Sequence, residues 1–383
     1  MASQSGVIFR VSTFGESHGV AVGCIIDGCP AGISINIELI QKALARRRPG
    51  QSMYTTSRNE EDSVQILSGV QDGISLGTPI ALMVKNADAK SDDYAEVSQV
   101  FRPGHADFSY QAKFGIRAQS GGGRASARET IARVAAGSVA QQMLSQILTH
   151  PIEVIAWVQR MAHIACPDEC SPQTHSEVEI HPLRVPHAPT ALLMEQLLTK
   201  VMDEGDTVGG LIRCHAKGVP TGWGEPVFDK LEADLAKAML SLPAARSFEI
   251  GTGLASTFLK GSENNDAFSV DTVTQKVITQ TNNCGGILGG ISTGMPIELS
   301  VGFKPVSSIR IEQNTVNTSG QKQTLKMSRG RHDPCVLPRA VPLVEAMTWL
   351  VLADHALRAQ LNRKQQLIQN PTVGSSTQQD DAP

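Results

Sequence analysis

The chain has 383 residues, 41% of them hydrophobic and 19% charged, which is typical of a folded globular protein with one large or two modest domains. A formal charge of −3 and an aromatic content of 4% argue against a nucleic-acid-binding surface. No charged region followed by an apolar one begins the sequence, and no apolar run reaches membrane-spanning length, so neither a secretory signal nor a membrane contact is predicted. Seven scattered cysteines, an odd number, favour a reduced, cytoplasmic setting.

The first predicted elements are a strand and a helix. Residues 20–28 are apolar and β-branched, which predicts a buried strand. Apolar residues at helical spacing follow, with Asn36 as the N-cap and Pro49-Gly50 as the end of the helix. Arginines at 46–48 therefore lie in its last turn. The helix dipole explains one or two of them, and we expect at least one to bind an anionic ligand.

The clearest helix is predicted over 125–148, where apolar residues form one stripe and Ser126 and Glu129 form a capping box. The segment 163–190 contains four histidines and several prolines, which predicts surface loops with solvated histidines. Helices and strands alternate irregularly, and this indicates an α/β or α+β fold. The remaining helices are predicted near 190–203, 229–240 and 341–361, and the remaining strands near 152–159, 208–214 and 295–303.

Four segments concentrate the residues that carry chemistry. Glycines at 121–123 precede the helix predicted over 125–148, and two arginines flank its start, so backbone N–H groups, the helix N-terminus and guanidinium groups together favour an anion. His18, His105 and His332 each lie beside glycine or proline and near an acid or arginine. Because imidazole exchanges protons near neutral pH, the pattern predicts acid–base chemistry on an anionic metabolite, by a lyase or a transferase. The segments are FGESHG (14–19), FRPGHADFSY (101–110), SGGGRASARET (120–130) and SRGRHDPCVLPRA (328–340).

Other functions remain open at this point. The G-x-S-x-G pattern occurs twice, around Ser75 and Ser292, and would suit a serine hydrolase if either serine stood on a strand-to-helix turn beside a histidine. His163, Cys166 and Cys170 lie close in sequence, but their spacing fits no zinc pattern, and no metal site is predicted. A third alternative is a non-catalytic protein that binds flavin or an anion.

The chemistry-bearing segments together resemble the signature segments of chorismate synthases. The resemblance extends over roughly residues 7–360, and RRRPG (46–50), NNCGGILGGISTG (282–294) and KPVSSI (304–309) add shorter matches in the same order. It implies an α+β fold, a large β-α-β sandwich, with one catalytic domain over 1–365. The polar, small residues at 366–383 predict a disordered tail. The resemblance also implies a homotetramer.

The same resemblance implies the reaction. The enzyme would be a carbon–oxygen lyase acting on phosphates. It would catalyse a 1,4-anti elimination of phosphate from 5-enolpyruvylshikimate 3-phosphate to give chorismate, the last step of the shikimate pathway. Reduced FMN would be required, without net redox change. NADPH would serve only as an indirect reductant, since the chain lacks large insertions and an external source of reduced flavin is favoured.

Individual residues take roles from this resemblance. His18 corresponds to the histidine near the substrate phosphate, with Ser17 hydrogen-bonding nearby. His105 corresponds to the histidine at the pyrimidine edge of the flavin, Asp333 to the acid near flavin N5, and Ser126 supports that proton relay. The expected substrate-anion residues are Arg47, Arg58, Arg128 and Arg331. The expected flavin-binding residues are Arg124, Ala125, Ser126, Pro243, Ala244, Gly289, Lys304, Pro305, Val306, Ser307, Ser308 and Arg331.

Two positions depart from the family pattern. Met53 stands where many relatives carry arginine, so one anion contact is missing. Ala125 stands where serine is commoner, which removes one hydroxyl and about 1 kcal/mol if that hydroxyl makes an ordinary hydrogen bond. Neither change touches the histidines or Asp333, and an active enzyme is expected.

Overall fold

The computed structural model describes residues 3–51, 54, 61–86, 99–118, 121–327 and 333–361. The predicted tail and the positions of Met53, Arg58, Arg331 and His332 lie outside the described residues. The strands are β1 Gln4–Ser5, β2 Arg10–Gly15, β3 Ala21–Asp27, β4 Val64–Ser68, β5 Val70–Gln71, β6 Ile74–Ser75, β7 Ile80–Lys85, β8 Glu153–Met161, β9 Ile164–Ala165, β10 Gly210–Lys217, β11 Ala245–Ile250, β12 Phe268–Val270, β13 Val277–Thr279, β14 Ile287–Leu288, β15 Ile291–Ser292, β16 Ile297–Phe303, β17 Gln313–Val316 and β18 Lys322–Leu325. The helices are α1 Ile37–Arg47, α2 Asp107–Phe114, α3 Thr130–Ile147, α4 His175–Glu179, α5 Ala188–Asp203, α6 Leu231–Leu240, α7 Gly261–Asn264 and α8 Leu337–Leu361.

Two five-stranded antiparallel sheets form the outer layers. The first has the order β1-β2-β3-β7-β4 and the second the order β11-β16-β10-β8-β9. In the first, Cys24 of β3 lies opposite Thr13 of β2 and Leu82 of β7. Alternate residues of β3, among them Cys24 and Ile26, are fully buried, as expected for a strand with one face on the core.

Helices fill the space between the sheets. α3 packs on β3 and β7, α8 packs on β8 and β10, and the two helices pack on each other. They cross closely at Gly137, where an added Cβ would lie 2.7 Å from the Cβ of Ala346. This arrangement confirms the α+β, β-α-β sandwich expected from the sequence.

α8 is the innermost element of the sandwich. It is long and apolar enough to cross a membrane, but it is buried between the sheets as a core helix. The carboxylate of Asp354 in α8 accepts hydrogen bonds from three successive backbone N–H groups, those of Val7, Ile8 and Phe9, at 2.7 to 3.0 Å. The segment before β2 is therefore fixed directly to the central helix.

Most of the predicted elements are confirmed, but the start of one helix is wrong. Two short 3₁₀ turns, Gly123–Ala125 and Ala127–Glu129, precede α3, which begins only at Thr130. The hydroxyl of Ser126 accepts the backbone N–H of Arg128. The Glu129 carboxylate accepts from Thr13 and Arg133 and not from the backbone N–H of Ser126, so the capping box does not form. α3 is also buried on nearly all sides, because layers cover it above and below, and it has no single apolar stripe.

The prediction of solvated surface loops over 163–190 is wrong in part. The segment contains β9 and α4, and Val178 and Leu183 are fully buried. The Nε2 of His175 lies 3.3 Å from the carboxylate of Glu345, and that of His181 lies 3.2 Å from Glu195. These histidines bind protein carboxylates because the segment folds against the second sheet.

Candidate active site

A cavity of about 1430 Å³ lies where several distant segments converge. The loop before α2, the two 3₁₀ turns before α3, the start of β11, the segment after β16 and the start of α8 all contribute to its wall. The predicted residues that line it are Arg47, His105, Arg124, Ala125, Ser126, Arg128, Pro243, Ala244, Lys304, Val306, Ser307, Ser308 and Asp333.

Among the residues that the structure describes, four predicted ones do not line the cavity. Ser17 and His18 lie directly beside Gly121, which does. Pro305 belongs to the segment after β16 but is not part of the cavity wall, and Gly289 lies in the turn between β14 and β15. The sandwich therefore brings together most of the sequence-predicted site, with Gly289 placed apart from it.

His18 is held at the edge of the cavity by the turn that carries it. Its Nδ1 lies 3.0 Å from the hydroxyl of the buried Ser17. Asn86 donates to the carbonyls of Glu16 and Gly19, which fixes the turn on both sides of the histidine. Across from the ring, Gly121 has a φ of +87°, and an added Cβ would lie 2.6 Å from the Cε1 and Nδ1 of His18. Only glycine permits this close approach.

His105 lies in the loop before α2, next to a buried ion pair. Its Nδ1 is 2.8 Å from the Oδ1 of Asp107. Arg102 donates from Nε and Nη2 to the two oxygens of the same carboxylate, each at 2.7 Å, and Arg117 is 3.4 Å away. Burial opposes ionisation of Asp107, but hydrogen bonds from Arg102 and His105 outweigh it and hold the pKa of this carboxyl well below its usual range.

The two described arginines predicted to bind substrate both contact one buried carboxylate. Arg47 donates to Asp62 at 3.2 Å, and Arg128 donates to its other oxygen. Arg128 also donates to the amide oxygen of Asn86 at 2.8 Å. All three charged side chains are buried. Because two guanidinium groups share one carboxylate, this part of the cavity wall keeps a net positive charge. Asp62 was not predicted from the sequence as part of the site.

Three further arginine–carboxylate contacts line the cavity. Glu129 lies 3.0 Å from Arg133 and 3.7 Å from Arg124, and Arg124 also donates to the carbonyl of Gly15. At the start of α8, Arg339 donates to Asp333. The acid predicted to act near the flavin is thus held by a residue that sequence reasoning missed.

The charge around the cavity is strongly positive. Ten arginine and lysine side chains line its described wall against four carboxylates. Three of the ten, Lys237, Arg246 and Lys304, make no ion pair with a carboxylate anywhere in the described part of the chain. Burial and the neighbouring Arg246 lower the pKa of the Lys304 ammonium. Lys237 and Arg246 were missed because each stands alone in its own element, although Arg246 follows the predicted Pro243-Ala244 pair by two residues.

The hydrolase and metal alternatives find no support. The hydroxyls of Ser75 and Ser292 are buried, donate to the carbonyls of Pro30 and Pro220, and accept backbone N–H groups, so neither is placed as a nucleophile. Within the described ranges, no three His, Cys, Asp or Glu side chains are grouped so that they could hold a metal ion.

Comparison with known proteins identifies the family. A family model described as chorismate synthase matches residues 9–357. The chain belongs to the chorismate synthase family. It is 56% identical over 358 residues to the chorismate synthase of Synechococcus sp. (strain RCC307), covering 94% of this chain and 98% of the relative. It is 54% identical over 357 residues to that of Prochlorococcus marinus (strain MIT 9515), covering 93% and 97%.

The fold agrees with the family. A solved structure titled as a crystal structure of chorismate synthase superposes with a TM-score of 0.73 at 29% sequence identity, covering 92% of this chain and 93% of that one. The chorismate synthase sandwich therefore positions the cavity described above.

Proposed function

We propose that this member of the chorismate synthase family catalyses the 1,4-anti elimination of phosphate from 5-enolpyruvylshikimate 3-phosphate to give chorismate. The observation that carries the proposal is the cavity wall, where ten cationic side chains face four carboxylates beside two histidines. The substrate carries a phosphate and two carboxylates. A cavity with this excess of guanidinium and ammonium groups attracts and orients such an anion.

The proton transfers are proposed to fall to two groups of residues at the cavity. His18, with Ser17 on its Nδ1, is proposed to protonate the leaving phosphate. Asp333 and Ser126 are proposed to assist removal of the ring proton, with Arg339 orienting the carboxylate. Arg47 and Arg128 are proposed to set the positive potential at the wall, together with Arg58 and Arg331 outside the described residues.

Reduced FMN is the proposed cofactor, and the cavity fits it. Its volume of about 1430 Å³ exceeds that of a common single-ligand pocket and leaves room for a flavin beside the substrate. The loop before α2 meets the segment after β16, since an added Cβ on Gly104 would lie 3.2 Å from the Cβ of Ser307. Lys304, Ser307 and Ser308 would offer ammonium and hydroxyl donors to the cofactor, and Arg124 to Ser126, Pro243 and Ala244 line the same cavity. When bound, reduced FMN would supply the transient electron that eases an anti elimination.

A homotetramer in a reducing, cytoplasmic compartment is also proposed. All seven cysteines are free, which suits such a compartment. Large apolar side chains are exposed on the β12–β13 hairpin and on the short 3₁₀ segment Gly253–Phe258, among them Phe258, Phe268 and Val273 at 82%, 65% and 88% exposure. Exposed apolar surface of this kind favours burial against another copy.

The test is phosphate release under anaerobic conditions. The protein is given 5-enolpyruvylshikimate 3-phosphate with chemically reduced FMN, and then with oxidised FMN plus NADPH. Release with reduced FMN alone supports the lyase and an external reductant, and release in both reveals a built-in reductase. No release from folded protein that binds FMN and substrate would overturn the lyase and favour the non-catalytic binder. His18→Ala and His105→Ala should each slow release strongly without unfolding the protein.

A further inference from the structure

Asp107 is a buried carboxylate at the cavity, held by several donors. It is 6% exposed, receives both donors of the Arg102 fork, and accepts the Arg102 backbone N–H at 3.2 Å. Arg117 approaches the same oxygen from the end of α2. A carboxylate held by two guanidinium groups stays ionised and cannot donate a proton at neutral pH.

An ionised Asp107 decides the tautomer of His105. The Oδ1 of Asp107 lies 2.8 Å from the Nδ1 of His105, whereas the Nη2 of Arg102 lies 3.1 Å from it. Since a carboxylate only accepts, the shorter contact requires the proton on Nδ1. The Arg102 contact is then a neighbouring charge rather than a hydrogen bond, and Nε2 is the ring nitrogen left to the cavity.

We propose that Asp107 is a positioning residue that keeps a proton on the Nδ1 of His105, so that Nε2 exchanges protons with the ligands of the cavity, and that Arg102 holds Asp107 in place. This inference deepens the proposed function and rests on it for its kinetic consequence. The histidine does the proton transfer, and the carboxylate fixes which nitrogen does it. The contact between Asp107 and His105 also fixes the orientation of the imidazole ring, although His105 lies in a loop.

The first test reads the tautomer without catalysis. Nitrogen-15 NMR of the full chain at neutral pH distinguishes Nδ1–H from Nε2–H, and the His105 signals are assigned by their loss in His105→Gln. We expect the Nδ1–H tautomer in the wild-type protein. In Asp107→Asn the amide oxygen in the place of Oδ2 should keep the Nε donor of Arg102, and the NH₂ in the place of Oδ1 then faces the ring, which shifts the proton to Nε2. An Nε2–H tautomer in the wild type would overturn the proposal, whether or not the variant folds.

The second test is kinetic. Asp107→Asn should lower kcat for phosphate release about 10²-fold while KM changes little, since the contribution of one placed proton donor or acceptor is lost. Asp168→Asn is the matched control, because that side chain is 94% exposed and makes only a long contact to Arg213. If the wild type releases no phosphate, the proposed function fails and the NMR result still decides the tautomer. If the wild type is active and Asp107→Asn keeps its kcat, the positioning role alone is refuted.

Discussion

The contact between Gly121 and His18 gives the sharpest test of the site. In Gly121→Ala the new Cβ would lie 2.6 Å from the Cε1 and Nδ1 of the imidazole. An ordinary contact needs about 3.4 Å, so ring and backbone must separate by about 0.8 Å. The ring cannot simply slide, because Ser17 holds its Nδ1 and the turn around it is tied by Asn86. The substitution therefore displaces His18 from its place beside the cavity.

The expected effect on catalysis is large and the effect on stability is small. A misplacement of about 1 Å in a catalytic group costs on the order of 10² in rate, so kcat for phosphate release should fall by about that factor. The positive φ adds about 1–2 kcal/mol of backbone strain, which lowers the free energy of unfolding by a similar amount.

Gly32→Ala provides the matched control. Gly32 has a φ of +85°, close to the +87° of Gly121, but no atom lies within 4 Å of its added Cβ. Both variants should lose stability from the positive φ in urea unfolding, Gly121→Ala the more because of its contact with His18, and only Gly121→Ala should lose activity in the anaerobic assay with reduced FMN. Equal kcat values for the two variants would refute the placement of His18 in the mechanism.

Three further predictions concern the core and the charge of the cavity. Burial opposes ionisation of Glu345, but the charge of Arg46 outweighs burial and lowers the pKa of this carboxyl from 4.5 to about 2. Ionised Glu345 therefore adds about 3 kcal/mol to the free energy of unfolding above pH 4.5, and this contribution is lost as the pH falls through about 2. Glu345→Gln should therefore lower the urea midpoint at pH 7 and flatten its fall between pH 5 and 2, and an unchanged midpoint would contradict this. Gly137→Ala should lower the free energy of unfolding by about 1–3 kcal/mol through overpacking, and the second substitution Ala346→Gly should restore part of that loss. If the effects of the two substitutions on the free energy of unfolding are strictly additive, the contact between the two positions is ruled out. Lys304→Met should raise KM for the anionic substrate about tenfold at low salt and less at high salt, and a KM equal to wild type would remove this lysine from substrate attraction.

Local chemistry made much of the fold predictable. The Asn36 side chain accepts the N–H groups of Glu38 and Leu39, as its position before a periodic apolar segment predicted. The apolar, β-branched residues at 20–28 predicted β3. The four chemistry-bearing segments predicted which distant loops meet at the cavity. These signals are local, so the sequence contains them directly.

The features that the sequence analysis predicted wrongly or missed depend on contacts with residues far away in the chain. Glu129 stands at the right spacing for a capping box, but Thr13 and Arg133 compete for its carboxylate, and α3 begins late. Asp62 binds two arginines from α1 and the turn before α3, and no local pattern links those three positions. Long-range ion pairs leave no spacing rule in a single sequence, so the carboxylates behind the arginines were missed.

The place of α8 has a consequence for how the protein is made. This helix follows every strand of both sheets in the chain, yet it fills the layer between them and receives the segment before β2 through Asp354. During translation, α3 can cover β3 and β7 of the first sheet early, whereas the inner face of β8 and β10 in the second sheet stays without its covering helix until residues 337–361 are made. Contacts between residues more than 340 positions apart make the packing of α8 slow and leave nascent chains open to aggregation. Packing of α8 is therefore a late step, taken only after every strand of both sheets has been made.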